Sequence, residues 1–192
     1  MSHVIPIELK PFERDDFSRL IDWVKTPEFL LQWAGPVFHF PLDESQLDTY
    51  LKESLEVPPT RKIYKVLNTS DRTVIGHIEL NGIDLRNKLA TVCRVLVGEP
   101  SLRKKGVGLQ MLRKVLEIGF DRFGLHRIDL VVFDFNHAAI QCYEKAGFRK
   151  EGHLREARKI GDDYWSLYQM SILEDEWRST EKQPAIVECS RS

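Results

Sequence analysis

A chain of 192 residues is long enough for one domain with a sizeable core. Its 42% hydrophobic and 30% charged content is ordinary for a soluble globular protein, and 28 basic against 29 acidic residues leave a formal charge of -1. That balance argues against a nucleic-acid-binding domain, whose contact face makes the domain basic. The start, MSHVIPIELKPFERDD, lacks the apolar run of a signal peptide or membrane span, so no membrane association is expected. Cys93, Cys142 and Cys189 are spaced like neither a zinc site nor a disulfide framework. A cytoplasmic, reduced protein with no metal is the expectation.

Residues 4–10 alternate weakly and predict a first strand. From Glu13 to Val24, Phe17, Leu20, Ile21 and Val24 share one helical face. The stretch 30–42, broken by Gly35, Pro36 and Pro41, reads as a structured loop. Asp43 caps a short helix carrying Leu47, Tyr50, Leu51 and Leu55, which Pro58-Pro59 ends. Strands are expected over KIYKVLN, TVIGHIELNGI and ATVCRVLVG (90–98), then a helix from Lys104 to Arg122. RIDLVVF (127–133) reads as a strand buried on both faces. Asn136 to Lys145 is helical and stops at Gly147. Strand-like segments near 148–155 and 163–173 come next, and the chain after about Trp177 reads as a fraying polar tail. The expected order is β-α-α-β-β-β-α-β-α-β-β, an α/β (α+β) single domain with a mixed sheet and helices on both faces.

The most informative segment is VLVGEPSLRKKGVGLQML (95–112), where a strand runs through a short connection into a helix. Unpaired N–H groups at a helix start point outward, and the helix dipole adds positive potential. Gly106 and Gly108 let a phosphate approach the backbone, and Arg103, Lys104 and Lys105 supply cations. The alternative is a solvated basic turn with ordinary glycines. A nucleotide triphosphatase loop needs Gly-Lys-Ser/Thr, yet Gly108 is followed by Leu109 and Gln110, with no hydroxyl to hold magnesium. The dinucleotide fingerprint lacks its third glycine. A pyrophosphate cradle that needs no metal remains.

Here the chain resembles the GNAT superfamily of N-acetyltransferases, whose coenzyme A motif Arg/Gln-x-x-Gly-x-Gly/Ala is matched by Arg103, Gly106 and Gly108. A second motif, Asn-x-x-Ala…Tyr-Glu-Lys-x-Gly-Phe, is matched in register by Asn136, Ala139, Tyr143, Glu144, Lys145, Gly147 and Phe148. Flanking segments are similar to the RimJ/RimL branch of ribosomal-protein N-terminal acetyltransferases. The resemblance covers residues 4–175 and leaves 176–192 as a flexible tail. It implies a mostly antiparallel sheet splayed at the cofactor strand and acetyl-CoA as co-substrate, and it is compatible with a homodimer. It also implies that the pyrophosphate sits on the amides of 103–108, Val107 included, and that the pantetheine arm lies along Leu96, Val97 and Gly98 as an added strand.

Asn136 suits a helix N-cap and, through the resemblance, a coenzyme contact. Tyr143 is either a core aromatic or, as the resemblance implies, a general acid: a phenol of pKa ~10 is matched to a departing thiolate of pKa ~8.5. Neighbouring Cys142 points elsewhere and reads as packing. An alkylamine near pKa ~10.4 is only about one part in a thousand neutral at pH 7, so a general base is useful. Glu79 is the first candidate, because an acid among apolar neighbours in a central strand holds a proton more tightly than in water; a surface glutamate is the alternative. Glu99 is second. Main-chain N–H groups near Val97 and Gly98 could hold a developing oxyanion. Trp33, Phe38 and Phe40 could bind the acceptor or plug helices onto the sheet. Trp165 reads as structural, with Asp162 and Asp163 able to draw in cations, and His77 and His137 pair with no metal partner. Two function classes stay open: an acetyltransferase acting on a protein N-terminus or a small amine such as a polyamine or antibiotic, and an inactive acyl-CoA-binding sensor.

Overall fold

The computed structural model describes residues 5–181. In chain order the elements are β1 (Ile7–Pro11), α1 (Phe17–Trp23), α2 (Pro27–Ala34), α3 (Glu44–Glu53), β2 (Arg61–Asn68), β3 (Val74–Asp84), β4 (Leu89–Val97), α4 (Val107–Glu117), β5 (Arg127–Phe133), α5 (His137–Ala146), β6 (Arg149–Ile160), β7 (Asp163–Leu173) and α6 (Glu174–Glu181). The strands form one sheet in the order β1-β2-β3-β4-β5-β7-β6. Every neighbouring pair is antiparallel except β4 and β5, which run parallel. That parallel pairing covers only Leu89↔Arg127, Ala90↔Ile128 and Thr91↔Asp129. Beyond Thr91 the two strands part, as the expected splay requires.

Period-two alternation sends β3 side chains into two separate cores. Ile78 and Leu80 join Met111, Leu112, Val115 and Leu116 of α4 on one face. On the other face a second core gathers Phe17 and Leu20 of α1, Leu30 of α2 and Leu47 and Tyr50 of α3. Helices therefore cover both faces of the sheet.

Local chemistry explains three helix ends directly. Asp43 caps α3 by accepting from Gln46 N (2.9 Å), and Asn136 caps α5 by accepting from Ala139 N (3.3 Å). Gly147 closes α5 in the left-handed region (φ 103).

Four expectations need correction. Residues 30–34 belong to helix α2: Thr26 accepts from Phe29 N (3.1 Å), Pro27 opens the first turn, and only after Gly35 does the irregular stretch begin. Helix α4 starts at Val107, since the left-handed Gly106 cannot extend it toward Lys104. Strand β5 is not buried on both faces, because Val131 is 51% exposed where no helix packs. Lastly, the domain limit expected at 175 falls inside α6, whose Trp177 is buried and stacks on Phe120 with ring centroids 6.1 Å apart. Residues 182–192, the rest of the expected tail, lie outside the described residues.

Trp177 thus closes the core on the α4 side. Trp177→Ala is expected to lower the unfolding free energy by about 3–5 kcal/mol, the usual cost of emptying a buried tryptophan site. Denaturant titration checks this, and a loss under ~1 kcal/mol would mark α6 as peripheral.

Candidate active site

The turn before α4 has the geometry that an anion cradle would require. Gly106 is the N-cap residue in the left-handed region (φ 81), and no atom lies within 4 Å of where its Cβ would be. The first amide bonded within the helix is Gln110 N, to Gly106 O at 3.1 Å. The amides of Val107, Gly108 and Leu109 therefore precede the helical ladder and are free to meet an anion. Arg103, Lys104 and Lys105 are exposed beside them. The second motif comes alongside: a Cβ on Gly108 would lie 3.4 Å from Cys142 Sγ on α5. The fold thus joins two motifs that lie far apart in the chain.

Strand β4 shapes the other wall. Leu96 pairs with His77 and Cys93 with Glu79, so β4 holds one more residue than β3 between these points. The surplus falls at Arg94, whose φ of 51 lies in the left-handed region. The bulge inverts the facing of the residues beyond it. Val92 enters the α4-side core, whereas Leu96, an even number of residues on, enters the other core. Gly98 N donates to Ile75 O (2.9 Å), so this amide is spent on β3 and cannot hold an oxyanion. By alternation Leu96 also directs its main chain to β3. Of the expected trio only Val97 offers main chain to the splay, and its carbonyl accepts from Arg103 Nε (3.1 Å). Gly98 instead makes room for a side chain, because Trp23 ring atoms lie as close as 2.1 Å to its would-be Cβ and only glycine admits this indole.

Tyr143 lies half-buried on α5 and packs edge-on to Phe148 (6.0 Å). Burial raises its phenol above the ordinary range, and Cys142 and Cys93 add to the rise. The match to a thiolate is thereby looser than an ordinary phenol would give, and the group stays an O–H donor. Burial also raises the Cys142 thiol, so this neighbour is a poor nucleophile.

Glu79 is not an accessible base. It is 0% exposed, pairs with the Arg94 guanidinium through Oε2, and accepts a hydrogen bond from Tyr50 OH (2.6 Å). Arg61 Nε lies 2.8 Å from Oε1, but its N–H points to Asn81 Oδ1 (3.0 Å), so that oxygen is paired by charge alone. The expected apolar strand environment is in fact a charged cluster roofed by α3. Glu99, by contrast, is exposed just past β4. Trp33 and Phe38 are core residues stacked on each other (6.1 Å), and Trp33 also meets His77 edge-on (5.6 Å). Of the expected acceptor wall, Phe40 alone is open, at 44% exposure.

Three features have little or no signal in the sequence. Arg94 and Arg61 place their guanidinium carbons 5.2 Å from the Tyr50 ring, and no local pattern announces this cluster. Phe133, Phe135 and Trp165 form a compact aromatic set with centroids 4.9–5.4 Å apart at the ends of β5 and β7. The aromatic residues in FDF and YWS are the only hint of it. His77 is buried rather than isolated: its Nε2 lies 3.1 Å from Tyr50 OH. The phenol proton goes to Glu79, so Nε2 carries the hydrogen toward the phenol oxygen. Among the described residues no group of His, Cys, Asp and Glu could hold a metal ion, and no helix is long and apolar enough to cross a membrane.

Burial, followed by the Arg94 charge, drops the His77 pKa to about 3. An unfolded chain takes up this proton near pH ~6.5, so its extra proton uptake lies between these values. The stabilisation is full above ~6.5 and fades as pH falls toward the folded value, at up to ~1.4 kcal/mol per pH unit. Unfolding free energy measured from pH 7 to 5 should decline, and His77→Gln should flatten that decline. Equal slopes in both proteins would show that His77 is not held neutral.

Comparison with known proteins agrees with this geometry. The model of the Acetyltransferase (GNAT) family matches residues 27–148. An N-acetyltransferase of Bacillus subtilis, prophage-derived YokL, is 32% identical over 117 residues, 61% of this chain and 63% of its own. A second from that organism, YnaD, is 32% identical over 81 residues, 42% of this chain and 48% of its own, so the chain spans about half to two thirds of these relatives. Spermidine N(1)-acetyltransferase of Escherichia coli is 21% identical over 93% of this chain and 91% of its own. The fold matches that of spermidine N-acetyltransferase from Vibrio cholerae, solved with CoA and spermine, with a TM-score of 0.77, 23% identity and coverage of 90% and 98%. The family model spans over half of the chain, and the sheet and its covering helices agree with it: the protein belongs to the GNAT family of acetyltransferases.

Proposed function

We propose that the protein transfers an acetyl group from acetyl-CoA to a primary amine of a small polycationic molecule of the polyamine type. The observation that carries the reading is the open cradle at Gly106, adjoining a strand whose partner has been peeled away. The amides of Val107, Gly108 and Leu109, backed by Arg103, Lys104 and Lys105, suit a pyrophosphate, and the Val97 main chain suits an amide-bearing arm. Asn136 would lie at the same mouth, although its Oδ1 is occupied in capping α5.

When bound, acetyl-CoA supplies an activated carbonyl on a thiol leaving group. Tyr143 then holds its Oη proton for the departing sulfur. With Glu79 sealed away, Glu99 is the carboxylate left to accept the proton of the incoming ammonium, directly or through one water. Exposed aromatic faces at Phe40 and Phe135 suit a cation better than an anion. The likeness to spermidine acetyltransferases over nine tenths of the chain supports the small amine over a protein N-terminus.

Thiol release with acetyl-CoA and a panel of spermidine, spermine, aminoglycosides and N-terminal peptides tests the reading. Turnover is expected with the polyamines; CoA binding without thiol release from any amine would instead favour the sensor. Tyr143→Phe should lower kcat by about 10²-fold, the lower end for a general acid, with CoA affinity within about twofold. An unchanged rate would remove the acid. Gly106→Val strains the left-handed N-cap by ~1–3 kcal/mol and should weaken CoA binding measured by calorimetry. Undiminished affinity would count against the cradle.

A further inference from the structure

The extra residue of β4 stands where bulges of this kind usually carry glycine, because the left-handed region costs other residues about 1–2 kcal/mol. Here the residue is Arg94, and it is only 6% exposed. Its guanidinium pairs with Glu79 of β3 and lies over the rings of Tyr50 (5.2 Å) and Phe38 (5.7 Å). Glu79 in turn receives the Tyr50 hydroxyl and the charge of Arg61. The side chain is thus tied at once to the neighbouring strand, to α3 and to the segment after α2. A glycine would allow the conformation, but it would anchor nothing.

The bulge determines what the next residues can do. Pairing with β5 ends at Thr91, three residues before Arg94. After the bulge, Leu96 turns into the α1–α3 core, while Val95 and Val97 pack against the opposite one. Alternation then points the main chain of Val95 and Val97 away from β3 and into the splay. A regular strand would put these groups out of phase.

We infer that Arg94, held by Glu79, is a positioning residue for acetyl transfer: it locks the β4 bulge and so presents the main chain of Val95 and Val97 to the acyl donor. This rests on the reading that an acyl-CoA occupies the splay. It moves Glu79 from the role of base to that of anchor.

The test compares Glu79→Gln, Arg94→Ala, Arg94→Lys and Arg94→Gly with the parent in CoA affinity, in kcat and KM for acetyl-CoA, and in thermal unfolding. Glu79→Gln and Arg94→Ala should weaken CoA binding about tenfold, the ratio that ~1.4 kcal/mol represents, and raise the acetyl-CoA KM. Arg94→Lys, which keeps a cation on a flexible stem, should recover part of that loss. Arg94→Gly, which adopts the left-handed conformation freely, should bind CoA as weakly as Arg94→Ala while remaining folded. Folded variants that bind CoA as the parent does, whatever their melting temperature, would overturn the inference by showing a purely structural role. If Arg94→Ala does not fold, Arg94→Gly and Glu79→Gln decide. A parent that binds CoA but acetylates no amine defeats the proposed function alone, since the affinity comparison still tests the anchor.

Discussion

One additional residue in β4 governs how the two faces of the sheet are used. From Leu89 to Thr91 the strand pairs on both sides, and Ala90 and Val92 feed the α4-side core; past Arg94 it pairs with β3 alone, Leu96 feeds the other core, and Val95 and Val97 turn to the α4 side. A sheet normally repeats every second residue, so a single insertion exchanges the two faces for everything downstream. The opening between β4 and β5 begins after Thr91, and the bulge at Arg94 sets which groups the strand shows to it. The cradle at Gly106 lies at the head of the same connection, with Arg103 reaching back to the Val97 carbonyl. Bulge, splay and cradle form one continuous device.

Holding such a bulge requires interactions that outweigh the strain at Arg94. Burying a lone guanidinium would cost several kcal/mol. Glu79 offsets that penalty: Tyr50 donates to its Oε2, and Arg61, whose own charge is shared with Glu53 at the surface, faces Oε1 by charge alone. Two guanidiniums flank the Tyr50 ring, while neutral His77 closes the cluster from β3. The result is a polar plug inside an aromatic layer, with Phe12, Phe38 and Trp33 around it. Buried ion pairs contribute little net stability, but they tolerate few alternative geometries, which suits a part that must fix one backbone conformation.

The portions legible in the sequence are those fixed by near neighbours. Gly106 and Gly108 before an amphipathic run, Asn136 three residues before Ala139, and Gly147 after Ala146 each act within one helical turn, so type and spacing suffice. Helix α2 also has its signal in Thr26-Pro27, but the breakers Gly35, Pro36 and Pro41 obscure it. For Glu79 the alternation is legible, since it does face away from Ile78 and Leu80. The cover on that face is set by Tyr50, 29 residues earlier, and by an arginine in a conformation that no propensity foretells. Trp33 and Phe38 mislead for the same reason: an aromatic residue in a broken segment looks identical whether it lines a pocket or fills a core.

With Glu79 enclosed and the Tyr143 phenol raised by burial, Glu99 is the one expected proton-handling group that stands exposed. That arrangement favours placement over proton chemistry. In the proposed reaction the anion would meet helix amides, the arm strand main chain, and the leaving sulfur a phenol that stays an O–H donor. Orientation of an already activated thioester can lower a barrier by several kcal/mol without strong acids or bases, provided the groups do not shift. A bulge anchored through Arg94 to β3, to α3 and to the segment after α2 would supply that condition.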